Sequence, residues 1–215
     1  MIFKLRKELT FPPASLAEPE GLLAVGGDLS VKRLMLAYKS GIFPWYSEGE
    51  PILWWSPDPR FVLYPEKLKV SKSLERVIRS GRFEVTLNRD FRTVMSNCGS
   101  AKRRGESDTW ITSEMIDAYC RLNEKGHAWS VEVWEKGELV GGLYGVKYGC
   151  IFSGESMFAK VSNASKVGLV FLVRHLQAVG CKVIDCQVVT EHLRSLGAEE
   201  ISRDEYLDIV CCYSG

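Results

Sequence analysis

All eight prolines of this 215-residue chain lie between Pro12 and Pro65, and the 150 residues after them contain none. Proline locks φ and removes a backbone donor, so it interrupts helices and central strands. The chain therefore divides into a small N-terminal domain, residues 1–62, and a longer domain, residues 63–215, free to build regular helices and strands. In the first part GLLAVGGDLS (21–30) leads into a helix over residues 31–39. Ser30 is its cap, Leu34, Ala37 and Tyr38 keep helical spacing, and Gly41 stops it. The stretch GIFPWYSEGEPILWWSPDPR (41–60) is too rich in aromatic side chains for a flexible linker and reads as an ordered loop and strand surface.

The second part predicts a helix over 71–80, with Leu74, Val77 and Ile78 inward and Lys72, Arg76 and Arg79 outward. A strand at 83–88, a helix at 90–99 and a capped helix at 113–125 follow. Residues 127–135 and 139–146 alternate as a hairpin, 148–153 as a further strand. A long apolar helix at 162–178 and a buried strand at 182–189 complete the pattern. The expected class is α/β, of the α+β type. An antiparallel meander, a long helix and one more strand is the order of the GNAT acyltransferase fold. Users of acetyl-CoA with that fold carry a Gly-rich turn before the long helix. GESMFAKVSNASK (154–166) has no glycine after Gly154, which argues against coenzyme A.

Charge narrows the partners. With 28 Lys+Arg against 27 Asp+Glu the net charge is +1, which excludes a wholesale polycation. Between Arg60 and Arg104, however, twelve basic residues face four acidic ones. Such a face either binds a polyanion or simply solvates a helix. Seven cysteines without a C-x-x-C and three distant histidines argue against a disulfide framework or a zinc site. No segment has the apolar length of a signal peptide or membrane span, so the expected location is the cytoplasm.

The motifs EPEGLLAVGGDLS (18–30), GIFPWYSEGEPILWWSPDPR (41–60), TWIT (109–112), HAWSVEVW (127–134), LVGGLYGV (139–146), GESMF (154–158), NASK (163–166), IDCQ (184–187) and SLGAEE (195–200) together resemble the leucyl/phenylalanyl-tRNA–protein transferases, in the same order from Phe11 to Leu207. The resemblance implies an enzyme that moves Leu, Phe or, less readily, Met from aminoacyl-tRNA to the N-terminal Arg or Lys of a protein, marking it for N-degron proteolysis. It implies a small N-terminal domain, a GNAT-like catalytic domain, no metal and no cofactor, a monomer in the cytoplasm, and aminoacyl-tRNA and Arg- or Lys-starting proteins as partners. Three positions depart from the family pattern. Trp129 stands where a His is expected, Lys72 where an Arg is expected, and Ala159-Lys160 where Ser-Arg is expected.

The chemistry asks little of a nucleophile. The donor is an activated ester, and an α-amino group with a reference pKa near 7.7–8.0 is already partly free base at neutral pH. The site needs proximity, a proton acceptor or electrostatic partner for the amine, a donor for the ester oxygens and an apolar pocket. Asp185 and Gln187, two apart on a strand, are expected on one face, with Asp185 either a general base or an orienting charge. Cys186 is expected on the opposite face, in the core. Glu155, an isolated carboxylate in an apolar segment, needs a partner. By resemblance this is the α-amino group of the aminoacyl moiety, and a helix cap is the plain alternative. Trp110, Phe152, Met157 and Ile184 would shape the pocket, with core packing as the competing role for the last three. Trp54 is a further substrate-binding candidate, or part of the seam between the domains. Lys72, Arg76 and Arg79 would hold tRNA. An acetyl-CoA-dependent N-acetyltransferase and a non-catalytic tRNA-binding module remain as other readings.

Overall fold

The computed structural model describes residues 2–101 and 110–213. Lys102, Arg103, Arg104 and Thr109 of the sequence reading lie outside the described residues. The proline-rich part forms β1 (Phe3–Leu5), β2 (Leu22–Gly26), α1 (Val31–Tyr38), β3 (Phe43–Pro44) and β4 (Leu53–Trp55). Its four strands make a small sheet in the order β1-β2-β4-β3. The rest follows as β5 (Arg60–Leu63), α2 (Lys72–Arg79), β6 (Glu84–Leu87), α3 (Phe91–Ser100), α4 (Ser113–Glu124), β7 (Ala128–Glu135), β8 (Glu138–Tyr148) and β9 (Ile151–Ala159). It ends with α5 (Ala164–Ala178), β10 (Val183–Gln187), α6 (Glu191–Ser195), β11 (Glu199–Ile201) and α7 (Arg203–Tyr213).

The helices begin where short polar side chains satisfy orphan N–H groups. Ser30, Ser71, Asp90, Thr112 and Thr190 each accept from the N–H three residues on, at α1, α2, α3, α4 and α6. The seven strands of the main sheet run β11-β5-β10-β9-β8-β7-β6. Alternation splits the apolar residues of β7 to β9 between two faces. On one face Ala128, Tyr144 and Val146 join Val94, Met95, Met115 and Tyr119 of α3 and α4 in a core that continues into the small sheet through Leu34, Tyr38 and Trp54. On the other, Val131, Leu143 and Phe152 meet Leu169, Leu172, Val173 and Leu176 of α5. The mixed α/β, GNAT-like order expected from the sequence is thus present, a meander followed by a long helix and a strand returning beside the meander.

One expectation is corrected. The strand placed at 148–153 starts at Ile151 and runs on to Ala159, because Gly149, at φ +49°, supplies the turn after β8. GESMF is therefore strand rather than the approach to a helix, which removes the capping role for Glu155. The extension matters for what β9 does next. Its parallel pairing with β10 stops after three residue pairs, ending at Asp185 and Ser153. From Gly154 on, β9 follows β8 alone, while β10 turns toward β5. The gap between them is open.

Candidate active site

Both strands at this gap carry a bulge. Tyr144 opposes Ser156 and Gly145 opposes Gly154, so Glu155 has no partner on β8. On β10, Asp185 opposes Val62 and Gln187 opposes Phe61, so Cys186 is the extra residue, and Gln187 takes φ +63°. A bulge re-aims side chains by one position. Here it defeats the alternation rule. Cys186 and Gln187 both line the cavity in the gap, and Asp185 does not. Cys186 is thus corrected from core to pocket wall, and its thiol is pushed well up by burial and then by the charge of Asp185.

The cavity encloses about 430 Å³, the size of a small-ligand site. Of the candidates, Trp110, Phe152, Glu155, Met157, Ile184 and Gln187 all line it, along with Leu143, Leu169 and Leu172. Trp54 is elsewhere. It is fully buried under Phe11, with ring centroids 4.9 Å apart, and its indole N–H donates to the Gly26 carbonyl at 2.8 Å. Trp45, half-exposed beside Phe43 and Pro44, is the N-terminal tryptophan that reaches the rim. Nothing in the tryptophan pattern distinguished them.

Glu155 is the polar centre of the apolar wall. Its Oε1 accepts from the hydroxyl of Tyr38 at 2.8 Å and from the Gln187 amide at 3.0 Å, and its Oε2 from the Tyr119 hydroxyl at 3.4 Å. The two tyrosines also touch each other, oxygen to oxygen, at 2.5 Å. Burial, aided by the charge of Asp185, pushes the Glu155 carboxyl up to about 8, although the three donors oppose the shift. Tyr38 and Tyr119 come from α1 and α4, where helical spacing marks them only as core. The sequence offered no sign of their role.

Asp185 sits behind the wall with every oxygen engaged. Arg60 grips it bidentately, Nε to Oδ1 at 2.8 Å and Nη2 to Oδ2 at 2.6 Å. Ser153 and Tyr206 donate to Oδ2 at 3.0 and 2.9 Å, and the Gln187 backbone N–H donates to Oδ1 at 2.9 Å. Arg60 and Asp185 are 1% and 0% exposed. Arg60 is therefore no part of a basic surface. It stacks between Phe43 and Tyr206, 4.8 and 4.5 Å from their centroids. His192, on the far wall, has a buried Nε2 without a partner among the described residues, and burial lowers its pKa.

On the outer face of the fold, α2 exposes Lys72, Arg76 and Arg79. Arg79 pairs with Glu75 at 3.3 Å, Arg82 with Glu135, Arg89 with Glu84 and Arg92 with Asp117. Lys69, Lys72 and Arg76 carry no ion pair among the described residues, so the net positive face is narrower than the residue count suggested.

Residues 62–211 match the family model described as leucyl/phenylalanyl-tRNA protein transferase, and residues 27–58 match the model of its N-terminal domain. A protein of that name from Flavobacterium johnsoniae is 54% identical over 97% of this chain and 99% of its own length. Others, from Syntrophobacter fumaroxidans and Pseudomonas aeruginosa, are each 56% identical over 97% of this chain and 89% and 92% of theirs. The chain belongs to this family. Solved structures of similar shape include a GCN5-related N-acetyltransferase from Kribbella flavida, at a TM-score of 0.45 and 9% identity over 77% of this chain and 58% of that one. That likeness is remote and bears on nothing below. Among the described residues no group of three or more His, Cys, Asp or Glu is placed to hold a metal ion, and no helix is long and apolar enough to cross a membrane.

Proposed function

We propose that this chain transfers Leu, Phe or Met from aminoacyl-tRNA to proteins with N-terminal Arg or Lys, acting as a cytoplasmic monomer and creating an N-degron. Its small N-terminal domain (1–62) and catalytic domain (63–215) meet within β5. The observation that carries the reading is a single carboxyl, Glu155, held by three donors on the wall of an otherwise apolar cavity. An aminoacyl ester presents that same pair of features, an amino group beside an apolar side chain. Glu155 takes the donor's α-amino group. Leu143, Phe152, Met157, Leu169, Leu172 and Ile184 enclose its side chain, and Trp110 or Trp45 stacks on the terminal adenosine.

The acceptor amine then attacks the ester carbonyl. A C–N bond forms, the ester C–O bond breaks, and the proton lost by nitrogen ends on the departing ribose oxygen. Gln187 orients this step. Its amide nitrogen faces Glu155, which leaves its carbonyl oxygen to accept from the amine. Asp185 holds Gln187 through the backbone N–H and does not itself take the proton, since its oxygens already accept five hydrogen bonds.

The test is product mass. Purified protein with Leu-tRNA should extend an Arg-starting peptide by one leucine and leave its N-acetylated twin unchanged. Binding of tRNA without product would favour the tRNA-binding module, and acetylation from acetyl-CoA the acetyltransferase. The tRNA face is tested separately by reversing Lys72 and Arg76 to Glu. Affinity should weaken for all tRNAs alike, and the log-log salt slope should flatten by about 1.4–1.8, as loss of two phosphate contacts requires. An unchanged slope places the acceptor arm elsewhere.

A further inference from the structure

Behind the cavity wall runs a row of aromatic rings. Phe152, on β9, lines the cavity. Its tip lies over Gly145 of β8, where an added Cβ would come 2.5 Å from Cε1 and 2.6 Å from Cζ of the ring. Gly145 in turn is registered opposite Trp129 of β7. Three adjacent strands thus present an indole, a bare backbone and a phenyl ring in sequence. The missing side chain at Gly145 lets Phe152 lean toward Trp129, and their centroids are 6.4 Å apart.

Trp129 is itself fixed. Its indole N–H donates to the Gly126 carbonyl at 3.1 Å, and its ring meets His175 of α5 edge-on at 5.9 Å. His175 stacks on Phe171 at 6.3 Å and 7°. On the side away from the active-site cavity, Phe171 and His175 border a second space of about 440 Å³ against Ile78 and Phe83. Phe152 therefore has an indole behind it rather than empty space, and a hydrogen bond and a helix keep that indole in place. Packed side chains shift only when their neighbours give way.

We propose that Trp129 is a positioning residue that sets the width of the donor pocket by backing Phe152, and so tunes the choice between leucine and phenylalanine. The inference rests on reading the cavity as the donor pocket. Removing the indole gives Phe152 room to withdraw across Gly145, which widens the cavity without touching the amino-group contacts at Glu155 or the amide of Gln187. A wider pocket loses contact with the leucyl side chain while still being filled by the larger phenylalanyl ring. Since one methylene of misfit in an apolar pocket is read as roughly a tenfold or larger difference in kcat/KM, the ratio of Phe to Leu should move by about that factor.

The experiment measures kcat/KM for Leu-tRNA and Phe-tRNA in wild type, Trp129→Ala and Trp129→Phe, together with tRNA Kd and Tm. The expected result is a shift of about tenfold toward Phe in the alanine variant and a smaller shift the same way in the phenylalanine variant, with tRNA Kd unchanged. A purely structural role lowers Tm and both rates together. Equal losses for the two donors in both variants would overturn the inference, and if the alanine variant does not fold, the phenylalanine variant decides alone. Wild-type protein that transfers neither amino acid would instead defeat the transferase reading itself, before any variant is compared.

Discussion

Asp185→Asn should sharply lower both transfer and stability. The substitution leaves Arg60 1% exposed and without its carboxylate: burial works against the charged guanidinium, and the Asp185 charge that outweighs burial in the wild type is gone. Breaking a buried pair by removing one partner costs about 3–5 kcal/mol, a large part of the roughly 5–15 kcal/mol that holds a domain together. Urea unfolding reads the loss directly. A second variant separates charge from positioning. Arg60→Met with Asp185→Leu replaces the pair by apolar groups of similar size and should recover most of the stability. Transfer should stay low, because the Gln187 N–H has lost its anchor and the amide its fixed direction. Wild-type stability in Asp185→Asn would contradict the ion-pair argument, and full activity in the double variant would reduce Asp185 to a charge partner.

Glu155→Gln should have effects of opposite sign on activity and stability. On the proposed reading the donor's ammonium group ionises this carboxyl on binding, and glutamine, which cannot ionise, removes an interaction of roughly 1.5–3 kcal/mol, or about 10- to 100-fold in kcat/KM. The stability effect follows from the raised pKa. Below pH 4.5 the carboxyl is protonated whether the chain is folded or not. Between 4.5 and about 8 the unfolded chain ionises while the folded chain keeps its proton. The wild type therefore loses stability as pH rises through this window, at up to about 1.4 kcal/mol per unit. Glutamine does not titrate. Melting curves at pH 5 and pH 9 should show the variant's advantage growing with pH. A constant difference would mean that Glu155 is an ordinary carboxylate, and an activity equal to wild type would remove it from the donor site.

Helices α1 to α4 were legible because caps and apolar spacing agree at each of them, whereas α5, which has no side-chain cap, was read from its apolar length and α6 and α7 were not read at all. Ser71 with Leu74, Val77 and Ile78, and Thr112 with Met115, Ala118, Tyr119 and Leu122, state both where a helix starts and which side it buries. The pocket was legible in part because IDCQ and GESMF carry polar residues inside apolar strands, and an isolated polar group there needs a reason. What escaped was whatever depends on the two bulges. A period-of-two reading keeps Asp185 and Gln187 on one face, and the extra residue on β10 turns Gln187 to the cavity side shared by Ile184 and Cys186 while Asp185 stays behind the wall. Arg60 escaped for a different reason. A charge count weighs every arginine equally, and only the fold shows that this one lies between Phe43 and Tyr206 rather than in water. Tyr38 and Tyr119 look like any helical core aromatic until their hydroxyls are found on one carboxyl.

Tyr206 lies in α7, 19 residues beyond Gln187 and the most C-terminal of the residues that touch the Asp185 carboxylate. Chains are synthesised and begin to fold from the N-terminus, so Arg60, Ser153 and Asp185 are all made before the helix that completes their network. A chain lacking α7 has the residues of the pocket, yet its Asp185 lacks one donor and Arg60 lacks one of its two stacking rings. Completion of the Asp185 network thus waits for a helix that is made after every residue lining the cavity.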